Sequence, residues 1–136
     1  MNTAGSNGHL KVLIVDDSHL LRERLTELIG KVPGVEVVGA APNVERGLRL
    51  LDELSPDVVT VDVKLPGRNG LSLVEEVAGR ESHPVMIVLT AYPEFRSRAL
   101  DLGAEFFVGK ATELYRLPQI LESLQAREEA AHEGKH

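Results

Sequence analysis

The 136-residue sequence contains no cysteine, which excludes both a disulfide framework and a thiolate metal site. It has no long apolar run either: the longest, Val85 to Leu89, falls far short of a membrane span. Its opening residues, MNTAGSNGHL, hold neither a basic segment nor an apolar one, so they do not read as a secretory signal. A cytoplasmic protein with no membrane association is the resulting expectation. Nor is there an excess of base. Lys and Arg number 15 against 21 Asp and Glu, a net charge of −6, whereas a nucleic-acid surface needs clustered cations to displace counterions. Direct nucleic-acid binding is therefore not expected.

What remains is the composition of a globular chain, 43% hydrophobic and 26% charged, of a length that suits one domain with a sizeable core. Short apolar runs alternate with helical patterns. KVLIV (11–15) is too brief for a helix and ends on acids. HLLRERLTELIG follows, with Leu21, Leu25, Leu28 and Ile29 on one face and Gly30 as a stop. VEVVGA (35–40) is a second strand, and Asn43 caps a helix whose apolar face is Val44, Leu48, Leu51 and Leu54. DVVTVD (57–62) is the third strand, LSLVEEVAG (71–79) a short helix after the turn PGRNG, and VMIVLT (85–90) the fourth strand. A weaker helix follows Pro93, EFFVGK (105–110) is the fifth strand, and Leu117, Ile120, Leu121 and Leu124 mark a last helix. Pro118 within that last pattern predicts a turn at Thr112–Tyr115 and a helix starting near Leu117.

Five strand–helix repeats with uniformly apolar strands predict a doubly wound (βα)5 α/β fold, a parallel sheet with helices on both faces. The domain is expected over residues 10–127, with flexible segments at 1–9 and 128–136, where no apolar face exists.

In such a sheet the carboxyl ends of the strands form the ligand edge. Those ends supply Asp16 and Asp17, Asp62, Thr90 and Lys110. Two carboxylates ~4 Å apart repel by roughly 4 kcal/mol at an effective dielectric of ~20, and one lysine cannot neutralise three of them. Hard oxygen ligands open to water suit Mg²⁺, with Mn²⁺ as a substitute. A carboxylate such as Asp62 on the middle strand can attack phosphorus to give an aspartyl phosphate. The metal and Lys110 would screen the charge on the transferring phosphoryl oxygens, and Thr90 could donate to one of them.

Taken in order, VLIVDDS (12–18), VTVDVKLPGRNGLSLV (59–74), VLTAY (88–92) and LGAEFFVGK (102–110) resemble the receiver domain of two-component response regulators over roughly residues 11–125. The resemblance implies a flavodoxin-like sheet of order 2-1-3-4-5. It also implies Asp62 as phosphoacceptor and Asp16, Asp17, Asp62 and the Lys64 carbonyl on Mg²⁺. Lys110 and Thr90 would then hold the phosphoryl group, with Thr90 and Phe107 as the switch pair. The phosphoryl donor would be a sensor histidine kinase or a histidine phosphotransfer protein. Output would be the binding of a downstream protein target, or a phosphorylation-dependent homodimer, through the fourth helix, fifth strand and fifth helix. The chain would be a stand-alone signalling phosphoacceptor, not an enzyme with turnover.

Receivers place side chains that tune hydrolysis two residues beyond the acceptor and beyond the threonine, here Lys64 and Tyr92. Neither offers a base to orient water, so slow self-dephosphorylation is expected. Two departures from the family pattern stand out. Ala111 occupies the place after the lysine where proline, often cis, is common. A cis bond before a non-proline residue costs ~2.5–4 kcal/mol, so a trans Lys110–Ala111 peptide is expected. Phe107 replaces tyrosine and has no hydroxyl.

Blander readings exist for each residue alone. Asp16 and Asp17 could cap the first helix, Asp62 could be an acid at the entry to a loop, Thr90 an ordinary strand residue, Lys110 a solvated charge and Phe107 a core side chain. A dehalogenase-type enzyme wants a second acid two residues after the nucleophile, where Lys64 stands. A flavodoxin-like cofactor binder wants a donor-rich loop after the first strand, where DDSH stands. The alternative within the family is a degenerate receiver that docks or dimerises without phosphate.

Overall fold

The computed structural model describes residues 9–133. Five strands, β1 (Leu10–Val15), β2 (Val35–Ala41), β3 (Val58–Val61), β4 (Val85–Thr90) and β5 (Phe106–Gly109), alternate with five helices. These are α1 (His19–Gly30), α2 (Val44–Leu54), α3 (Gly70–Ala78), α4 (Arg96–Leu102, entered through a 3₁₀ turn at Pro93–Phe95) and α5 (Arg116–Glu133). All pairings are parallel and the sheet order is β2-β1-β3-β4-β5, the doubly wound arrangement expected.

Period-2 alternation sorts each strand onto the two faces. Leu13, Val15, Val59, Val61, Met86, Val88 and Phe107 pack with α2, α3 and α4. Val12, Ile14, Val58, Ile87, Leu89 and Val108 pack with α1 and α5. Register runs from Val12 opposite Val58 and Val58 opposite Val85 out to Thr90 opposite Gly109, so the acid-bearing ends reach one edge together. In β2 the register slips between Val37 and Gly39, a bulge on an outer strand that brings no side chain to that edge.

Local chemistry sets the boundaries. Asn43 caps α2 by accepting from Arg46 N at 2.9 Å, and Asn69 caps α3 by accepting from Leu71 N at 2.7 Å. Gly67 takes φ +79° in the turn before Asn69, a left-handed geometry that glycine adopts without steric cost.

Helix α5 begins at Arg116, with Pro118 in its first turn, and all four residues of its expected apolar face are buried. It continues to Glu133, past the boundary expected at 127. REEAAHE is rich in helix-favouring residues, so the helix propagates without an apolar face. Residues 1–8 and 134–136 of the expected flexible segments lie outside the described residues. No cis peptide occurs among the described residues, so Lys110–Ala111 is trans as expected. Among them, no helix is long and apolar enough to cross a membrane.

Candidate functional site

Five of the expected site residues meet at the carboxyl edge of the sheet. Asp16 and Asp17 follow β1, Asp62 follows β3, Thr90 closes β4 and Lys110 follows β5. Asp16 and Asp62 are buried, at 2% and 7% exposure, while Asp17 is exposed. One oxygen from each carboxylate lies within 4.8 Å of the others. Lys110 Nζ donates to Asp16 Oδ2 at 2.7 Å and to Asp62 Oδ2 at 2.6 Å. Burial works against the lysine's charge, but the hydrogen bonds and charges of these two carboxylates outweigh it and hold the pKa above the usual value. An ammonium has three N–H donors; with two engaged by carboxylates, one is left for an incoming oxyanion.

The acids are not spent on capping. Ser18 is the N-cap of α1, its hydroxyl accepting from Leu21 N at 3.1 Å. Asp16 Oδ1 accepts from Ser18 N at 2.9 Å, and Arg22 Nη1 donates to the Asp16 carbonyl at 2.7 Å. Ser18 and Arg22 thus fix Asp16 from both sides, and sequence reasoning passed over both. A serine directly before the helical periodicity was a visible signal for the first; nothing in the sequence marks the second.

The donor set fits a divalent cation. Asp62 Oδ1 is buried with no hydrogen-bond partner, a costly state for a carboxylate oxygen, and it shares the edge with two further carboxylates. All-oxygen, anionic donors suit Mg²⁺ or Mn²⁺ and not a thiophilic metal.

Thr90 is fully buried and its Oγ1 has no partner. By alternation with Met86 and Val88 it points to the α4 side of the sheet, the side on which Phe107 packs. Phe107 is 3% exposed, and the Arg96 guanidinium stands 5.6 Å from its ring centroid. Thr90 and Phe107 are therefore neighbours on one face of adjacent strands, as a coupled pair requires.

Lys64 and Tyr92 also meet. Lys64 Nζ lies 5.1 Å from the Tyr92 ring centroid and 5.6 Å from that of Phe95, and the two rings sit edge to face, 6.4 Å apart. Phe95 is the member that sequence reasoning missed. This corner lies at the rim of the edge, two residues beyond Asp62 and Thr90.

Comparisons with known proteins agree with this geometry. Residues 12–122 match the family model described as response regulator receiver domain. The chain is 38% identical over 117 residues to the positive alginate biosynthesis regulatory protein of Pseudomonas aeruginosa, covering 85% of this chain and 46% of that protein. It is 42% identical over 104 residues to a protein-glutamate methylesterase/protein-glutamine glutaminase of Nitrosomonas europaea, covering 74% of this chain and 29% of that one. The chain thus spans less than half the length of these curated relatives. Among solved structures, a LuxR-family two-component response regulator from Aurantimonas sp. superposes with a TM-score of 0.80 at 28% identity, covering 88% of this chain and 86% of that one. The sheet order, the acidic edge and these matches lead to one conclusion: the chain belongs to the family of response regulator receiver domains.

Proposed function

We propose that this receiver accepts a phosphoryl group on Asp62 from a histidine kinase or a histidine phosphotransfer protein, in the cytoplasm. The observation that carries the reading is the Lys110 ammonium shared between Asp16 and Asp62, beside a buried Asp62 oxygen with no partner. An oxygen of Asp62 forms the new O–P bond as the N–P bond of a phosphohistidine breaks, and the imidazole leaves with the electron pair. Lys110 turns its remaining N–H to a phosphoryl oxygen, and the Thr90 hydroxyl donates to another. Asp16, Asp17, Asp62 and the Lys64 carbonyl would hold Mg²⁺, which supplies charge neutralisation on the transferring group.

Drawing Thr90 toward the phosphoryl group changes the space beside Phe107. Two packings of one ring then differ in energy according to phosphorylation, a population shift that exposes a different α4-β5-α5 face to a partner. The corner of Lys64, Tyr92 and Phe95 covers one approach of water to the acyl phosphate.

Binding of beryllium fluoride in the presence of Mg²⁺ tests the reading. The parent is expected to bind it, Asp62→Asn is not, and a docking-only module would bind none. Mg²⁺ alone should stabilise the parent: at tenfold its dissociation constant the linkage is about 1.4 kcal/mol, or about 5 °C in melting temperature. Asp17→Asn should lose most of that rise. An unchanged melting temperature of the parent at millimolar Mg²⁺ sinks the metal site.

A second expected result concerns signal lifetime. Removing the corner with Lys64→Ala and Tyr92→Ala together should lower the hydrolytic barrier by about 1 kcal/mol, speeding phosphate loss roughly 5-fold. Decay of the purified phosphoprotein at the parental rate would show that the corner shields nothing.

A further inference from the structure

We infer that Glu113 and Arg116 are positioning residues for Lys110, fixing the backbone from which its ammonium reaches Asp16 and Asp62. This rests on the phosphoacceptor reading of Asp62 above.

β5 is an outer strand, with β4 on one side only. Lys110 N donates to Thr90 O at 2.9 Å on the β4 side. Backbone groups pointing the other way, at Phe107 and Gly109, have no strand to pair with, and an unpaired edge is free to shift. Here the edge is closed by the turn that follows. Glu113 Oε1 accepts from Gly109 N at 2.9 Å, and Glu113 N donates to Gly109 O at 2.9 Å. Both polar groups of Gly109 are thus taken by one residue. Arg116 Nη1 donates to the Phe107 carbonyl at 3.0 Å and to Glu113 Oε1 at 3.2 Å, while Arg116 N donates to Glu113 O at 2.8 Å.

The two residues therefore hold β5 at two points, and the second, Gly109, directly precedes Lys110. The bond from Gly109 N lowers the pKa of Glu113, burial opposing and Arg116 assisting, so the carboxylate is charged at neutral pH and Gly109 N meets an ionised acceptor. Charge-assisted bonds of this kind are shorter and stronger than neutral ones.

The Lys110–Ala111 peptide is trans and carries no proline ring to restrict it. The path of the loop is set by the clamp. Because Arg116 also holds the carbonyl of Phe107, and Arg96 lies over that ring, the same clamp fixes the main chain about which the Phe107 side chain moves.

The test measures phosphorylation of the purified protein by acetyl phosphate with Mg²⁺, together with the Mg²⁺ dissociation constant. Glu113→Ala keeps the backbone bond to Gly109 O but frees Gly109 N and removes the carboxylate partner of Arg116. It is expected to slow phosphorylation about tenfold, since small displacements of a reacting group cost large factors in rate. Glu113→Gln keeps an oxygen acceptor for Gly109 N and is expected to remain within about twofold of the parent. The affinity for Mg²⁺ should not weaken in either variant, because Asp16, Asp17 and Asp62 keep their charge and a displaced Lys110 removes only a competing cation from Asp16 and Asp62.

A parental rate in Glu113→Ala overturns the proposal. So does Glu113→Gln as slow as Glu113→Ala, or Mg²⁺ affinity falling in step with the rate, which would mean general loosening of the edge. A parent that takes no phosphoryl group overturns the phosphoacceptor reading and this inference with it, whereas an active parent with an indifferent Glu113 removes this inference alone.

Discussion

Asp62→Asn is expected to take up no phosphoryl group, a loss beyond about a hundredfold that follows from removing the nucleophile itself, while melting within a few degrees of the parent in metal-free buffer. Two effects oppose each other in that stability. The bond from Lys110 at 2.6 Å loses its ionic part, worth about 6 kcal/mol at an effective dielectric of 20. Repulsion from Asp16 and Asp17 is relieved as well. Their oxygens lie within 4.8 Å, so the buried Asp16–Asp62 pair contributes at least about 3 kcal/mol on the same scale, and the pair with exposed Asp17 less after solvent screening. The asparagine oxygen still accepts from Lys110, which offsets the difference. Carboxylates gathered for function are removable at little cost in stability; carboxylates serving the fold are not. Phosphoryl transfer with acetyl phosphate and thermal melting decide together. Persistent uptake would displace Asp62 as the acceptor, and a fall of more than about 10 °C, some 2–3 kcal/mol in a domain of this size, would make the residue structural.

The edge was legible in the sequence because three of the strands end where the chemistry changes. VLIV runs into Asp16, VVTV into Asp62 and FFVG into Lys110, so strand boundary and site residue are one signal. The caps were legible where a side chain with a local partner stood before a periodic run, as at Asn43. Rotation of a helix about its axis was not. The face read for α2 was Val44, Leu48, Leu51 and Leu54, but Gly47 and Leu50 are buried where Leu48 and Leu54 are half-buried. Gly47 lies close over Val15: a Cβ there would come within 3.1 Å of its side chain. The helix has turned to bring its smallest residue against the twisted sheet, a choice that depends on the partner surface.

The corner of Lys64, Tyr92 and Phe95 joins two loops and has no periodicity at all. The Glu113–Arg116 pair does show i,i+3 spacing in TELYR. What it holds became visible only with the path of the loop, because its partners are backbone atoms of an outer strand.

Gly70→Ala should be among the most damaging single-methyl changes in the chain. A Cβ at that position would lie 1.8 Å from the carbonyl oxygen of Asp62 and 2.8 Å from its carbonyl carbon. Both are backbone atoms of the proposed acceptor, so no side chain can swing away. Gly70 N also donates to Val63 O at 2.9 Å, which ties the start of α3 to the same segment. Alanine favours a helix over glycine by up to about 1 kcal/mol, and overpacking of a core costs about 1–3 kcal/mol even where side chains can yield. Here the backbone itself must move, so the clash wins and a net loss of at least about 2 kcal/mol is expected. Any relief displaces the peptide of Asp62, so phosphorylation by acetyl phosphate should fall with stability.

Gly67→Ala provides the contrast. Its φ of +79° strains an alanine, but nothing lies within 4 Å of the added methyl. It should cost about 1–2 kcal/mol and leave the phosphorylation rate of the folded protein unchanged. If Gly70→Ala melts with the parent and accepts phosphate at the parental rate, α3 does not sit against Asp62 as described. If Gly67→Ala alone impairs phosphorylation, the turn, and not the close approach of α3, is what places the acceptor.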